Sequence, residues 1–363
     1  MKWAAVDLVT GIVMGYLPDL ILNQDLKVTL GRYESGAVQL PIASAPDNWL
    51  RLTKPWASAI IALDDSAGPG ALPVPMWGGI VQQRPRTTGS LLSVPLSTAE
   101  CYLMRRFIRD DDLQYPAASW GVCQVGADLL ARYVIDGAGG RPGLPLRVVL
   151  LDNGPGRDVE WADRDDKQVY SAFTDMGFEW TITWEWQSNP QRITPVATLG
   201  TRIGQPVTAG LAPKARFFFP GNLVDAELLE DYTDGKGAND IMASSTGIGE
   251  VRPQSAHQVA VNMDGRPTIE DRYATDTETA KLADLNADAA SELAVQRDGS
   301  VAITLTALIG GKAPRYGDRW SIGDDVGYDL KGPQFPDNPT GVVRAIGLRF
   351  NTKTFSPTLI GGD

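Results

Sequence analysis

A strand–turn–strand pattern between Pro75 and Ile108 constrains the fold more than any other stretch of this sequence. Trp77–Arg84 and Leu91–Leu96 are apolar-rich runs, separated by Pro85 and by Thr87-Thr88-Gly89. Apolar runs of this length, broken by Pro and Gly, predict two strands that return on each other. The first part of the chain should therefore be an all-β unit of short strands and tight turns.

A short helix is expected to follow these strands. Ser97 and Glu100 have the spacing of a capping box, in which each side chain satisfies a backbone N–H of the other. Four apolar residues then share one helical face: Ala99, Tyr102, Leu103 and Phe107. The acidic run Asp110–Asp112 comes next. We expect the helix to pack beneath the first β-unit, with Phe107 buried and the acidic run in solvent, because unpaired carboxylates are costly to desolvate.

Changes of hydrophobic period divide the chain into segments. Residues 1–108 contain about six or seven short strands, the spacing of a small barrel or sandwich. Helical and strand patterns alternate over 109–192, which predicts an α/β insertion. Strands return in 193–240 and 300–363 and form a second β-barrel domain. Between them, 241–299 is a helix-containing insertion, with Leu282, Leu285, Ala289 and Leu293 on the inner face of its helix. The fold class is α+β and mainly β.

One strand is unusually rich in tryptophan. Trp180, Ile182, Trp184 and Trp186 alternate along Glu179–Gln187, so their side chains face one way. A buried core face is the more common explanation for such a row. An exposed stacking platform for sugars is the alternative.

Composition narrows the classes of function. The chain has 33 Lys and Arg against 44 Asp and Glu, a formal net charge of −11. This sign disfavours specific nucleic-acid binding, which needs clustered cations. It is compatible with a surface that DNA passes without adhering. No apolar run approaches the ~20 residues of a transmembrane helix, and no signal peptide is evident. Cys101 and Cys123 should be buried thiols.

No catalytic, cofactor-binding or metal site is predicted. The single histidine, His257, lies outside any Gly-x-Ser-x-Gly elbow and is expected to be a polar surface group. Gly310-Gly311-Lys312 lacks the other residues of a phosphate loop. Asp163–Asp166 precedes a helix but lacks the glycine and glutamate of a calcium loop, so these acids are expected to cap the helix.

The order of several short motifs resembles the minor tail proteins of actinobacterial siphophages, which are similar to baseplate hub proteins and to the N-terminal region of tail-associated lysins. The early motifs are Val6-Asp7-Leu8-Val9-Thr10-Gly11, Tyr16-Leu17-Pro18, Gly36-Ala37-Val38-Gln39-Leu40-Pro41, Trp77-Gly78-Gly79-Ile80-Val81 and Tyr102-Leu103-Met104-Arg105-Arg106. The late motifs are Leu199-Gly200, Gly317-Asp318-Arg319-Trp320 and Arg344-Ala345-Ile346-Gly347.

The resemblance implies a structural tail-tip hub and no enzyme. Family members form homotrimers in which two similar barrels per chain give pseudo-sixfold symmetry. Such a ring connects the distal tail protein ring to the tip or fibre and lets DNA pass. The implied partners are the distal tail protein, the tape measure protein and other tail-tip or fibre proteins. The implied location is the virion tail tip, after assembly in the host cytoplasm. No cofactor is implied.

Two other functions are compatible with the residues. The tryptophan strand would suit a virion component that binds or hydrolyses cell-wall glycans. Similar barrels also occur in the hubs of phage-like secretion systems. Paired carboxylates for glycoside cleavage depend on tertiary geometry, so sequence alone does not identify them.

Overall fold

The structure is a computed structural model. It describes residues 1–66, 68, 70–86, 88–137, 141–187, 192–208, 211–233, 235–245, 252–260, 265–274 and 281–360. Two compact units are present: the first combines Met1–Ala226 with Leu305–Ile360, and the second contains Glu227–Thr304. The finer division into 1–108, 109–192, 193–240 with 300–363, and 241–299 stays a prediction.

The first sheet is built from the N-terminal strands. The elements here are β1 (Lys2–Asp7), β2 (Val13–Tyr16), β3 (Ile21–Leu22), β4 (Leu26–Thr29), β5 (Ser35–Pro41), α1 (Trp49–Leu52), β6 (Ser58–Asp64), β7 (Val74–Val81) and β8 (Leu91–Thr98). Seven of the strands form one antiparallel sheet in the order β2-β1-β6-β7-β8-β5-β3. Every residue of β6 is buried, as its unbroken apolar sequence predicts for a strand covered on both faces.

The α/β insertion follows this sheet. Its elements are β9 (Leu113–Tyr115), α2 (Val122–Leu129), β10 (Arg147–Leu150), β11 (Val159–Trp161), α3 (Val169–Met176), β12 (Glu179–Trp186) and β13 (Ile193–Gly200). Strand β13 lies between β10, which runs parallel to it, and β12, which is antiparallel. Helix α2 contacts β10 and β13. One continuous apolar core joins this insertion to strands β1, β6 and β7 of the first sheet.

The expected helix after Ser97 is a 3₁₀ helix over Ala99–Arg105. Leu103 is buried as predicted, but the prediction for Phe107 is wrong, since its side chain is 39% exposed. The helix ends before Phe107, which continues as extended chain and forms an isolated bridge with Gln168. Successive side chains point to opposite sides of extended chain, and the following residue, Ile108, is the buried one.

The remaining elements complete the second sheet and the second unit. They are β14 (Arg216–Phe219), β15 (Asp225–Asp231), β16 (Asp240–Ser244), β17 (Gln258–Val259), β18 (Glu270–Ala274), α4 (Leu282–Gln296), β19 (Ser300–Leu308), β20 (Asp325–Leu330), β21 (Thr340–Phe350) and β22 (Thr354–Leu359). The second sheet has the order β14-β20-β21-β22-β19-β15, and β4 joins it as a seventh strand through β21. The mainly β fold class is therefore confirmed, with a seven-stranded sheet where each small barrel is expected.

The second unit has its own small core. Helix α4 packs on β16, and Leu285 and Ala289 are buried against Ile241 and Ala243. Leu293 is partly buried there, as expected. The prediction for Leu282 is wrong: its side chain is 59% exposed, because it is the first residue of the helix as described.

Candidate functional site

The residues that the sequence offers for catalysis or metal binding have structural partners. Nδ1 of His257 lies 2.8 Å from Oδ1 of Asp240, and the histidine side chain is 47% exposed. Oδ2 of Asp165 accepts a hydrogen bond of 2.7 Å from the backbone N–H of Ala162 and so caps the 3₁₀ helix Asp163–Asp165. Among the residues that the structure describes, no group of three or more His, Cys, Asp or Glu side chains is arranged to hold a metal ion.

The two cysteines are buried thiols, as predicted. Burial raises the pKa of each to about 12, so both are protonated at neutral pH. In the part of the chain that the structure covers, no helix is both long and apolar enough to cross a membrane.

The tryptophan row is core and not a surface platform. Trp180 and Trp184 are only 3% and 5% exposed, and Trp186 is partly buried. The indole N–H of Trp184 donates to the carbonyl of Gly78 at 3.2 Å, and that of Trp186 to the carbonyl of Pro73 at 2.7 Å. A Cβ at Gly78 would lie 2.3 Å from the Trp184 ring nitrogen, so only glycine allows this approach. The row joins the insertion to β7 of the first sheet.

Three links join the second sheet and its connecting segments to the first sheet or to the insertion. The first is β4, whose residues Leu26–Thr29 pair with Gly347–Phe350 of β21. Strand β20 pairs with Thr340–Arg344 on the same edge of β21, so β4 lies next after β20 along that edge. The indole N–H of Trp77, on the first sheet, donates to the carbonyl of Lys27 on β4 at 2.8 Å.

The second link is a bidentate ion pair between Arg344 on β21 and Glu179 on β12. Its N–O distances are 2.6 and 2.5 Å, and the arginine also donates to the carbonyl of Ile203 at 2.8 Å. Burial opposes ionisation of Glu179, but the guanidinium and the Ile203 N–H outweigh it, so the pKa of the carboxyl is lowered. The hydrogen bonds to Glu179 raise the pKa of Arg344. The pair is charged at neutral pH.

The third link is an ion pair of 3.2 Å between Arg315 and Asp64, the last residue of β6. The Asp64 side chain is only 6% exposed. Partly buried charge pairs fix geometry, because separating them leaves a charge without its partner. Together the three links connect strands of both sheets and the insertion within the first unit.

A buried carboxylate, Glu100, lies at the junction between the first sheet and the insertion. Its side chain is completely buried, and Oε1 accepts a 3.1 Å hydrogen bond from the backbone N–H of Ile182. Oε2 has no hydrogen-bond partner in the described structure. Loss of hydration raises the pKa of Glu100 to about 7. The capping box expected for Ser97 and Glu100 is therefore wrong, because the carboxylate is used by a strand distant in sequence.

Comparisons by sequence give no relative: no protein-family model matches the chain, and no curated protein matches it. Comparison by structure finds similar proteins. The 43 kDa tail protein of prophage MuSo2 from Shewanella oneidensis superposes with a TM-score of 0.52 at 10% identity, over 99% of this chain and 98% of that one. The prophage tail protein gp18 of Listeria monocytogenes matches with a TM-score of 0.44 at 10% identity, over 99% and 94% of the two chains.

A chain of the Francisella PdpA–VgrG complex matches with a TM-score of 0.51 at 8% identity. The match covers 99% of the present chain but 57% of that longer chain. At sequence identities this low, the comparisons show a shared fold and no other shared property. The chain thus has the fold of a prophage tail protein along its whole length, a fold that also occurs within the PdpA–VgrG complex.

Proposed function

We propose that this chain is a structural hub protein of the tail tip of a tailed bacteriophage. The observation that carries the proposal is the presence of two seven-stranded sheets in one chain, connected within the first compact unit by the pairing of β4 with β21. The fold is shared end to end with a protein named as a tail protein. A role in assembly needs such a body, because docking surfaces must keep their relative positions.

The proposed assembly is a homotrimeric ring. Each chain contributes two sheets, so three copies supply six and match a sixfold tube. Closed rings are the usual outcome of cyclic interfaces. The proposed partners are the distal tail protein ring on one side and the tip or fibre on the other, with the tape measure protein inside. In this proposal DNA passes through the ring, the acids of the chain face the channel, and the protein has a structural and not an enzymatic role.

Mass measurement tests the trimer directly. Light scattering coupled to size-exclusion chromatography should give three times 39.1 kDa, and electron microscopy should show rings. Gold-labelled antibody should mark one end of the virion tail. A monomer at high concentration that is also monomeric in the virion would refute the proposal. Clearing of cell-wall material in a zymogram would refute the non-enzymatic role.

A hub in a phage-like secretion system is the second candidate, favoured by the likeness to a chain of the PdpA–VgrG complex. The neighbouring genes separate the two candidates. A tape measure gene beside this one supports the siphophage tail, and genes for a contractile secretion apparatus support the alternative. The tryptophan strand no longer supports the glycan-binding candidate, since Trp180 and Trp184 are buried.

A further inference from the structure

A cationic cleft lies on the second sheet, in a chain whose net charge is −11. The cleft has a volume of about 460 Å³. Its charged lining consists of five cations and one acid: Lys214, Arg216, Lys312, Arg315, Arg319 and Asp318. An excess of positive charge at one place on an acidic protein is a feature that the overall composition does not predict.

Buried aromatic packing holds the two sides of the cleft together. Arg216 and Phe217 are neighbours on β14, so their side chains point to opposite faces; Phe217 is fully buried while Arg216 is exposed. The Phe217 ring packs edge-on against Trp320, with the ring centroids 6.1 Å apart. Trp320 is 2% exposed and donates its indole N–H to the carbonyl of Pro314 at 3.1 Å. This contact fixes the turn that carries Arg315 and Arg319, so the cations are positioned before any ligand binds.

Most of the positive charge in the cleft is not neutralised within the chain. Among the described residues, neither Lys214 nor Lys312 has a carboxylate within ion-pair distance. Arg216 and Arg319 have only long contacts, 3.9 Å to Asp329 and 3.8 Å to a neighbouring aspartate. Exposed pairs at such distances contribute little. These four cations are therefore available to an anionic ligand.

Arg315 differs from these four cations. Its Nε is engaged with Asp64, but Nη2 is buried and has no acceptor in the described part of the chain. A buried guanidinium N–H without an acceptor costs free energy. Because Nη2 is buried, Arg315 is not counted among the cations available to a ligand.

We infer that the cleft binds a carboxylate-rich segment of a neighbouring protein chain. Arginine and lysine clusters are a common means of recognising acidic motifs, through charge-assisted hydrogen bonds. Nucleic acid fits the cleft less well. Single strands bind on aromatic side chains, and none of the described residues that line this cleft is aromatic. The net charge of −11 also repels a polyanion as long as DNA.

The inference deepens the proposed function and rests on it for the nature of the partner, a protein of the same assembly. Its test does not depend on oligomeric state. The probe is a fluorescein-labelled octapeptide of alternating aspartate and glutamate, followed by fluorescence anisotropy. The test variant is K214Q/K312Q, which removes two unpaired charges at exposed positions. The matched control is K54Q/K353Q, with two exposed lysines outside the cleft. Thermal unfolding confirms that both variants are folded.

The peptide should bind the parent and the control equally, and the cleft variant roughly tenfold more weakly. Raising the salt concentration from about 0.05 M to about 0.5 M should weaken binding to the parent, as screening of exposed charges requires. No binding at low salt, or equal binding to both variants, would overturn the inference. Tighter binding of a thymidine oligonucleotide of equal charge would also overturn it, in favour of a nucleic-acid ligand. A trimer that fails to bind the peptide would refute the inference alone, and a monomer that binds it would refute the trimer alone.

Discussion

Replacing Glu100 by glutamine should remove a pH dependence of stability from the first unit. The folded protein raises the pKa of this carboxyl from its ordinary value of 4.5 to about 7. The folded state therefore binds a proton more tightly than the unfolded state, and stability falls as pH rises between these two values. At 1.36 kcal/mol per pH unit, the interval corresponds to about 3 kcal/mol. Glutamine keeps an acceptor for the N–H of Ile182 but cannot ionise.

Urea titrations followed by tryptophan fluorescence measure this effect. All ten tryptophans lie in the first unit, so the signal reports its unfolding without contribution from the second. We expect the free energy of unfolding of E100Q, relative to the parent, to increase by about 3 kcal/mol from pH 4.5 to pH 7 and then to level off. The exposed substitution E160Q is the control and should run parallel to the parent. Parallel profiles for E100Q and the parent would show that the carboxylate is hydrated in solution, and would refute the reasoning.

Four further substitutions test the core, the links between the sheets and the acidic run. R344M leaves the carboxylate of Glu179 without its partner and should lower the free energy of unfolding by about 2–3 kcal/mol. This is below the range for fully buried pairs, because both side chains are partly exposed. In chemical denaturation the loss should shrink as pH falls below 4.5, since the pKa of Glu179 is lowered from that value. F173A removes a ring that is 1% exposed and should cost about 3–5 kcal/mol in the same assay, whereas F107A should cost less than about 1 kcal/mol. D111A should also cost less than about 1 kcal/mol, since Asp111 is exposed; a larger loss than for Phe173 would mean that the acidic run is structural.

Local patterns predict the elements whose own sequence decides their environment. The helical spacing of Val122, Val125 and Leu129 predicts α2, and all three side chains are buried. The alternation along β12 predicts one tryptophan face, and that face is core. In both elements the apolar side chains are regularly spaced, so the period alone identifies the buried side.

Features that depend on distant contacts are not predictable in this way. Glu100 has the spacing of a capping residue, yet it accepts a hydrogen bond from Ile182, which is 82 residues away. Phe107 shares a helical face with Leu103 only if the helix continues, and it ends at Arg105. The cationic cleft combines Lys214 with residues near position 315. Each segment contributes only two or three of the five cations, and neither the local sequence nor the net charge of −11 shows that the two segments meet.

The insertion of β4 into the second sheet has a consequence for the order in which the protein is made. Residues 26–29 are synthesised about 320 residues before their partners, residues 347–350 of β21. At about 5–20 residues per second, β4 waits on the order of tens of seconds for its place. During this time its backbone is open to other strands, which favours misassembly with neighbouring nascent chains. A high yield of the intact protein should therefore depend on complete synthesis or on a chaperone that shields this strand.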